Sequence, residues 1–265
     1  MTPVEIVRGD GPVILGLPHG GTWVPDDVAA RLNPLGRELA DTDWRIARLY
    51  DGLLPGATTV AATVHRYVID ANRDPDGASL YPGQNTTGLV PETDFDGRAI
   101  WREPPSADDI ARARAAFHAP YHAALAAEVA RVRAAHGVAI LYDCHSIRSR
   151  IPFLFDGRLP DLNIGTDLGR TCAPAIEAAA VEEAEASAFT SVLNGRFRGG
   201  WTTRHYGRPE TGVHAIQMEI AQSAYLEDEA APWTFSQEKA ARLRPVLARI
   251  LARLADLAPS LRETP

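Results

Sequence analysis

The alternation of short apolar runs with longer amphipathic segments constrains the fold of this chain most. Apolar or β-branched runs of about four to eight residues, bounded by turn-forming residues, are typical of buried strands. Apolar residues at spacings of three, four and seven are typical of helices. Strand candidates are Val13–Leu17, 59–64, 67–69, 138–142 and 214–220, and helix candidates are 43–54, 110–136, 170–187 and 243–254. This alternation predicts an α/β three-layer sandwich with a mixed, mostly parallel sheet.

No repeat or linker interrupts the pattern, so we expect a single domain over residues 1–265. Pro120 is expected to kink or divide the helix at 110–136, because proline cannot donate a backbone hydrogen bond. The stretch 74–105 is rich in Gly, Pro, Asp and Thr and too long for a simple connection, which predicts a functional loop or lid. The glycine-rich segment 194–212 is predicted to be a loop.

Composition excludes several classes of protein. Hydrophobic residues make up 45% and charged residues 23% of the 265 positions, which is typical of a globular chain. The net charge of -7 disfavours binding to nucleic acid. No apolar run of about 18 residues predicts a membrane helix, and Glu5, Arg8 and Asp10 do not fit a signal peptide. The 2 cysteines are too few for a disulfide scaffold, so we expect a cytoplasmic protein with reduced thiols. We also expect a monomer or a small homo-oligomer.

Arginine supplies nearly all of the positive charge. Lys239 is the one lysine among 27 basic residues, which leaves 27 − 1 = 26 arginines. A GC-rich genome explains such a bias without any function. Arginines in polar, glycine-rich loops can instead form forks that bind carboxylates. The arginines that flank strand ends or glycine loops are Arg66, Arg73, Arg148, Arg150, Arg196, Arg198 and Arg204.

Two histidines, His19 and His145, closely follow apolar runs of strand character. Ligands bind at the carboxyl ends of the strands in open α/β sheets, so both imidazoles could meet at one edge. Such a pair suggests a metal site, although each histidine alone could be structural. Zinc hydrolases commonly use three protein ligands and leave a fourth position for water. Candidates for the third ligand are Asp41, Asp43 and Asp143; Asp43 is preferred, since Asp41 could cap a helix and Asp143 could orient His145.

The segment 214–220 alternates, with apolar residues on one face and Gln217 and Glu219 on the other. It therefore predicts a half-buried strand that presents a carboxylate. Burying a carboxylate is costly unless it has a partner or a function. Glu219 is accordingly a candidate general base, and a salt bridge to a neighbouring arginine is the alternative.

Several short segments, taken in their order along the chain, resemble a known family. They are Pro18-His19-Gly20-Gly21 through Pro25, Asp41-Thr42-Asp43-Trp44, Arg66 through Pro75, Leu80-Tyr81-Pro82-Gly83-Gln84, Phe95-Asp96-Gly97, Asp143-Cys144-His145-Ser146, Gly199-Gly200-Trp201 through Gly207, and Gln217-Met218-Glu219. Together they resemble the N-formylglutamate amidohydrolases over about residues 13–225. These are the deformylases that complete one bacterial route of histidine degradation.

The resemblance implies a carboxypeptidase-like catalytic domain that cleaves N-formyl-L-glutamate to formate and L-glutamate with one zinc ion. It implies metal ligation by His19 and His145, with Asp43 as the carboxylate ligand. The chain departs here from the carboxypeptidases, which have a Glu as ligand at the position of Thr22. Glu219 would match the general base, and Arg66 would stabilise the oxyanion. Asn72 and Arg73 resemble a pair that holds one substrate carboxylate. Arg204 or Arg148 would hold the second carboxylate of this small dicarboxylate substrate, and the loop 81–97 could close over it.

Three rival interpretations remain at the level of sequence. The chain could be a related zinc enzyme that removes another acyl group from an amino acid or peptide. It could be a metal-free protein that binds dicarboxylates through the same arginines without turnover. Cys144 could be a nucleophile because His145 is adjacent, but neighbouring strand residues point to opposite faces, which disfavours proton transfer between them.

Overall fold

The computed structural model describes residues 2–78 and 85–261, so the motif at 80–84 and part of the loop 81–97 lie outside the described residues. The strands of these ranges are β1 (Val4–Val7), β2 (Val13–Leu17), β3 (Thr58–Ala62), β4 (Ala139–Ile147), β5 (Leu162–Gly165), β6 (Ser191–Leu193) and β7 (Val213–Ala221). The α-helices are α1 (Asp26–Arg31), α2 (Ile46–Tyr50), α3 (Ala107–Ala113), α4 (Ala119–His136), α5 (Pro174–Glu185), α6 (Trp201–Tyr206) and α7 (Gln237–Leu257). None of these helices is long and apolar enough to cross a membrane.

The strands form one mixed sheet in the order β1-β3-β2-β4-β7-β5-β6. The four central strands β3, β2, β4 and β7 are mutually parallel. β1 is antiparallel to β3, and β5 is antiparallel to β7 while β6 follows β5 in parallel. The carboxyl ends of the central strands therefore meet at one edge, where the polar residues that follow them can converge.

Helices cover both faces of the sheet, which confirms the predicted α/β sandwich of three layers. α2, α5 and α7 pack on one face against alternate strand residues such as Val13, Leu15 and Leu17. α4 packs on the other face against Ile14 and Leu141. This alternation follows from the pleat of a strand, in which successive side chains point to opposite faces.

The prediction of a strand at 67–69 was wrong. Arg66 to Val68 form a turn in which the Val68 N–H donates to the His65 carbonyl at 2.9 Å. The Arg66 guanidinium also pairs with Asp70, four residues on, at 2.6 Å. An extended strand would hold these two side chains too far apart, so the buried ion pair favours the turn over the β propensity of three residues.

Other features of the fold also differ from the sequence prediction. The segment 194–212 is not wholly a loop, because it contains α6. β7 is buried along its whole length rather than half-buried, since one face packs in the core with α5 and α7 and the other meets the core of α4 and the cavity. β4 extends to Ile147, beyond the predicted end at 142, so its polar residues belong to the strand itself. Asp143 and His145 remain in a central strand because they face the polar site instead of an apolar helix.

The long helix at 110–136 is divided, as Pro120 predicts. α3 continues into a π-helical segment, Arg114–His118, and α4 follows with Pro120 in its first turn. Proline is accommodated where the helix changes from π-helical to α-helical hydrogen bonding, since Pro120 has no N–H to donate to the preceding turn.

Candidate active site

A cavity of about 280 Å³ lies at the carboxyl edge of the central strands. Its lining includes His19 after β2, His145 in β4 and Glu219 in β7, together with Asp43 and Arg66 from connecting loops. This volume is just below the ~300–1,000 Å³ range of ligand pockets, which suits a small substrate.

His19, Asp43 and His145 form a cluster that could hold a metal ion. One ligand atom from each lies within 4.8 Å of the others. Nδ1 of His145 is 3.4 Å and Nδ1 of His19 is 3.9 Å from Oδ2 of Asp43. This buried oxygen has no hydrogen-bond partner among the described residues. An unpartnered buried carboxylate oxygen facing two imidazole nitrogens fits a cation as the missing partner.

The two other carboxylate candidates have different partners. Asp41 Oδ2 accepts hydrogen bonds from the Tyr67 hydroxyl at 2.8 Å and the Phe95 N–H at 2.9 Å. Asp143 Oδ2 lies behind His145, 3.1 Å from its Nε2. The geometry therefore favours Asp43 as the carboxylate of the cluster.

Carboxylates orient both imidazole rings from behind. Nε2 of His19 lies 2.7 Å from Oδ1 of Asp70, and Asp143 holds the corresponding nitrogen of His145. A carboxylate that accepts the Nε2–H fixes the tautomer and leaves the Nδ1 lone pair for a metal. Sequence reasoning did not assign a role to Asp70, because its partner His19 is 51 residues away.

Charge around the cluster also fits a cation. The buried carboxyl groups in and beside the cluster include Asp43, Asp70, Asp143 and Glu219, whereas Arg66 is the one buried arginine in the described ranges. Burial alone would raise the pKa of Asp70, but Arg66 and Arg73 lower it well below its usual value. Burial likewise lowers the pKa of His145, but Asp143 and Asp43 more than reverse this and place it well above its usual value. The carboxylates Asp43 and Asp143 thus favour positive charge at His145, which a proton or a metal ion could supply.

Glu219 stands beside His145, because the two residues are paired in the register of β7 and β4. Burial raises the pKa of Glu219 to about 8, with His145 opposing and Asp43 reinforcing the shift. The Gln217 amide donates to its carboxylate at 3.3 Å. In the described part of the chain no arginine lies within ion-pair distance of Glu219, so the salt-bridge alternative finds no support. The Glu219 side chain lines the cavity, and the raised pKa makes its deprotonated form a stronger base than an ordinary carboxylate.

The predicted arginines divide into two groups. Arg66 and Arg73 line the cavity. Arg148 and Arg204 are not among the described residues of its lining: Arg148 pairs with Asp96 at 3.0 Å, and Arg204 lies 3.4 Å from Asp167. Arg196, which the sequence placed in a glycine-rich loop without assigning a role, does line the cavity.

A family model for N-formylglutamate amidohydrolase matches residues 11–226, which is most of the chain. The chain belongs to the N-formylglutamate amidohydrolase family. This confirms the resemblance seen in the sequence motifs and makes the protein a hydrolase that acts on an amide.

Two relatives align with nearly the whole length of this amidohydrolase. The N-formylglutamate deformylase of Pseudomonas aeruginosa is 48% identical over 252 residues, which are 93% of this chain and 94% of the relative. That of Pseudomonas putida is 44% identical over 251 residues, covering 93% of each chain.

Solved structures share the fold at lower sequence identity. The N-formylglutamate amidohydrolase of Ralstonia eutropha JMP134 has a TM-score of 0.82 and 24% identity, covering 98% of this chain and 99% of that one. A gene product of Agrobacterium tumefaciens has a TM-score of 0.72 and 17% identity, covering 97% and 96%. These likenesses support the architecture of the sheet and helices.

Glycine-rich backbone holds Asn72 of the amidohydrolase in place. Its Oδ1 accepts a hydrogen bond from the Thr202 N–H at 2.8 Å, and its Nδ2 lies 3.1 Å from Nε2 of His145. A Cβ on Gly200 would stand 2.3 Å from that Nδ2. The preceding Gly199 has a φ of 108°, a backbone conformation that favours glycine. Glycine at positions 199 and 200 therefore allows α6 to begin directly against Asn72.

Cys144 of the amidohydrolase points away from the cavity. It is buried in the apolar core on the face of α7, and its Sγ lies 3.5 Å from the Tyr142 carbonyl oxygen. Burial raises the pKa of this thiol well above its usual value. A protonated thiol on the opposite face from His145 cannot serve as its nucleophilic partner.

Proposed function

We propose that this amidohydrolase hydrolyses N-formyl-L-glutamate to formate and L-glutamate, with a zinc ion held by His19, Asp43 and His145. The observation that carries the proposal is the convergence of two imidazole Nδ1 atoms on the unpartnered Oδ2 of Asp43 inside the cavity. The two Pseudomonas relatives, both named N-formylglutamate deformylase, support the choice of substrate.

The donor set supports zinc over harder cations. Two imidazole nitrogens with one carboxylate oxygen match catalytic zinc sites, which keep a position open, whereas Mg²⁺ and Ca²⁺ prefer oxygen ligands. When bound, such an ion activates a water molecule near neutral pH and polarises the amide carbonyl as a Lewis acid. The same set could accept other divalent transition metals, and metal analysis of the purified protein distinguishes them.

Glu219 and Arg66 supply the remaining chemistry. Glu219 accepts the proton of the attacking water and then delivers it to the nitrogen of the departing glutamate. Arg66 stabilises the negative charge that develops on the formyl oxygen, because its buried guanidinium lines the cavity and its Nε has no described hydrogen-bond partner. Asp70 holds this guanidinium through Nη2 at 2.6 Å, which positions it without neutralising every donor.

Two arginine forks bind the carboxylates of the substrate. Arg73, beside Asn72, takes one carboxylate, as the sequence resemblance implies. We assign the other to Arg196 instead of Arg148 or Arg204, because Arg196 is the member of these three that lines the described cavity. Its Nε donates to the Leu154 carbonyl at 3.2 Å, which orients the fork. Two guanidinium groups offset the cost of desolvating a dianion in a small cavity.

The proposal extends to a cytoplasmic location and to the terminal step of histidine degradation. Both cysteines, Cys144 and Cys172, are free and buried, as in proteins of reducing compartments.

A substrate panel tests the proposal. Formate or acetate release is measured on N-formyl-L-glutamate, N-acetyl-L-glutamate and N-formyl-L-aspartate. We expect the highest kcat/KM on N-formyl-L-glutamate. Faster turnover of N-acetyl-L-glutamate would favour a related deacylase, and tight binding of glutamate without release of formate would favour a dicarboxylate-binding protein.

A further inference from the structure

Two histidines outside the cavity lining bind the backbone that carries Asn72 and Arg73. Nε2 of His118 lies 3.0 Å from the Arg73 carbonyl oxygen. Nε2 of His122 lies 2.7 Å from the Ala71 carbonyl oxygen. A carbonyl oxygen accepts hydrogen bonds and donates none, so each ring must carry its proton on Nε2.

The remaining contacts of these rings agree with this tautomer. Burial lowers the pKa of His122 to about 3, and burial also lowers the pKa of His118. Neutral rings carry one N–H each, which leaves Nδ1 of His122 as an acceptor. The Tyr206 hydroxyl lies 3.1 Å from that Nδ1 and 3.1 Å from the His122 carbonyl oxygen, so its single proton can be donated to either of these two acceptors.

The helix geometry places the rings of His118 and His122 beside the same segment, residues 71–73. His118 ends the π-helical stretch Arg114–His118, and His122 follows four residues later in the first turns of α4. Residues four apart lie on one face of a helix. Trp201 of α6 packs against both rings, with centroid distances of 5.8 Å to His118 and 4.7 Å to His122. π-helical insertions occur often at functional sites, where they redirect side chains.

The segment 71–73 belongs to no strand or helix, so side chains hold its carbonyl groups. The Asn72 carbonyl accepts from Nη1 of Arg73 at 3.0 Å. With the two histidines, three successive carbonyls are each bound by a side chain. Without a regular ladder, these contacts hold the backbone from which Asn72 and Arg73 project, while Thr202 and Thr87 bind the two side chains themselves.

We propose that His118 and His122 are positioning residues that hold the 71–73 backbone so that Asn72 and Arg73 meet a substrate carboxylate. The proposal rests on the proposed function for the role of Arg73. Neither histidine contacts the reacting atoms, so their removal affects the binding of the carboxylate more than the chemical step.

The test uses the zinc-loaded protein with His118→Ala, His122→Ala, His118→Gln and His122→Gln. The Nε2 of glutamine can donate to the same carbonyl as the Nε2 of histidine. We expect each Ala variant to raise KM for N-formyl-L-glutamate about tenfold with a smaller change in kcat, and each Gln variant to stay within about threefold of wild type. His136→Ala, at the far end of α4, is the matched control. Zinc content is expected to remain at the wild-type level in all of them.

Amide hydrogen exchange of peptides that cover 71–78 provides a readout independent of turnover. Exchange there should be faster in the Ala variants than in wild type, and restored in the Gln variants. Unchanged KM and exchange in folded, zinc-loaded Ala variants would overturn the proposal, and so would a Gln variant that folds normally but is no better than Ala. If wild type releases no formate, the proposed function fails, and hydrogen exchange alone then decides whether the histidines hold the segment.

Discussion

Oδ2 of Asp43 lies 3.4 Å from Nδ1 of His145, and this buried oxygen has no hydrogen-bond partner among the described residues. Asp43 precedes α2, whereas His145 lies within β4, so the two atoms belong to separate parts of the sandwich. A carboxylate left unpartnered in this way destabilises the fold unless a cation satisfies it. If the proposed metal binds here, its binding and folding are linked at this edge of the sheet.

Asp43→Asn is expected to reduce zinc content and to lower kcat/KM by ~100-fold or more, since even outer-shell changes cost about 10–100-fold in affinity or activity. Metal analysis after gel filtration, with the deformylase assay, measures both. Asp51→Asn, at an exposed position after α2, is the control. Full zinc occupancy in Asp43→Asn would show that Asp43 is not a ligand.

Glu219→Gln is expected to keep its zinc but to lower kcat by about 10²–10⁴-fold, the usual contribution of general acid–base catalysis. KM should change little, because the amide retains the shape of the side chain. Steady-state kinetics and metal analysis check this, with the exposed Glu210→Gln as control. A variant with near wild-type kcat would remove Glu219 from the proton transfer.

Arg196→Ala is expected to lower kcat/KM for N-formyl-L-glutamate by about 10–100-fold, because hydrogen bonds to charged groups contribute about 1.5–3 kcal/mol. N-formyl-L-norvaline lacks the distal carboxylate, so its slower turnover should be unaffected. Arg249→Ala, on α7 beside Glu183, serves as the control. Equal losses on both substrates would show that Arg196 does not read the distal carboxylate.

Cys144→Ser is expected to leave kcat within a few-fold of wild type, since the thiol lies in the apolar core on the face away from the cavity. The midpoint of thermal unfolding should fall slightly, because a hydroxyl replaces a thiol among apolar side chains. Loss of all activity in a folded, zinc-loaded variant would restore the nucleophile interpretation.

The sequence predicted the parts of the site that follow strands. His19, His145 and Glu219 stand at or near the carboxyl ends of central strands, and that position alone predicts a meeting point. The three-layer architecture was predictable for the same reason, since alternating apolar strands and amphipathic helices permit few arrangements.

The remaining residues depend on long-range contacts that periodicity does not encode. Asp70 acquires its role because the turn at 66–68 brings it to both His19 and Arg66. The choice among arginines depends on which loop faces the cavity: Arg196 does so, whereas α6, which the sequence did not predict, places Arg204 near Asp167. Burial of β7 on both faces likewise follows from the helices and the cavity above and below the sheet, not from its own alternation.

The most direct test of this account is formate release from N-formyl-L-glutamate before and after chelation, with zinc content measured on the same samples. The account predicts about one zinc per chain, loss of activity as a chelator removes it, and recovery on addition of zinc. Full deformylase activity in protein shown to contain no metal would contradict it.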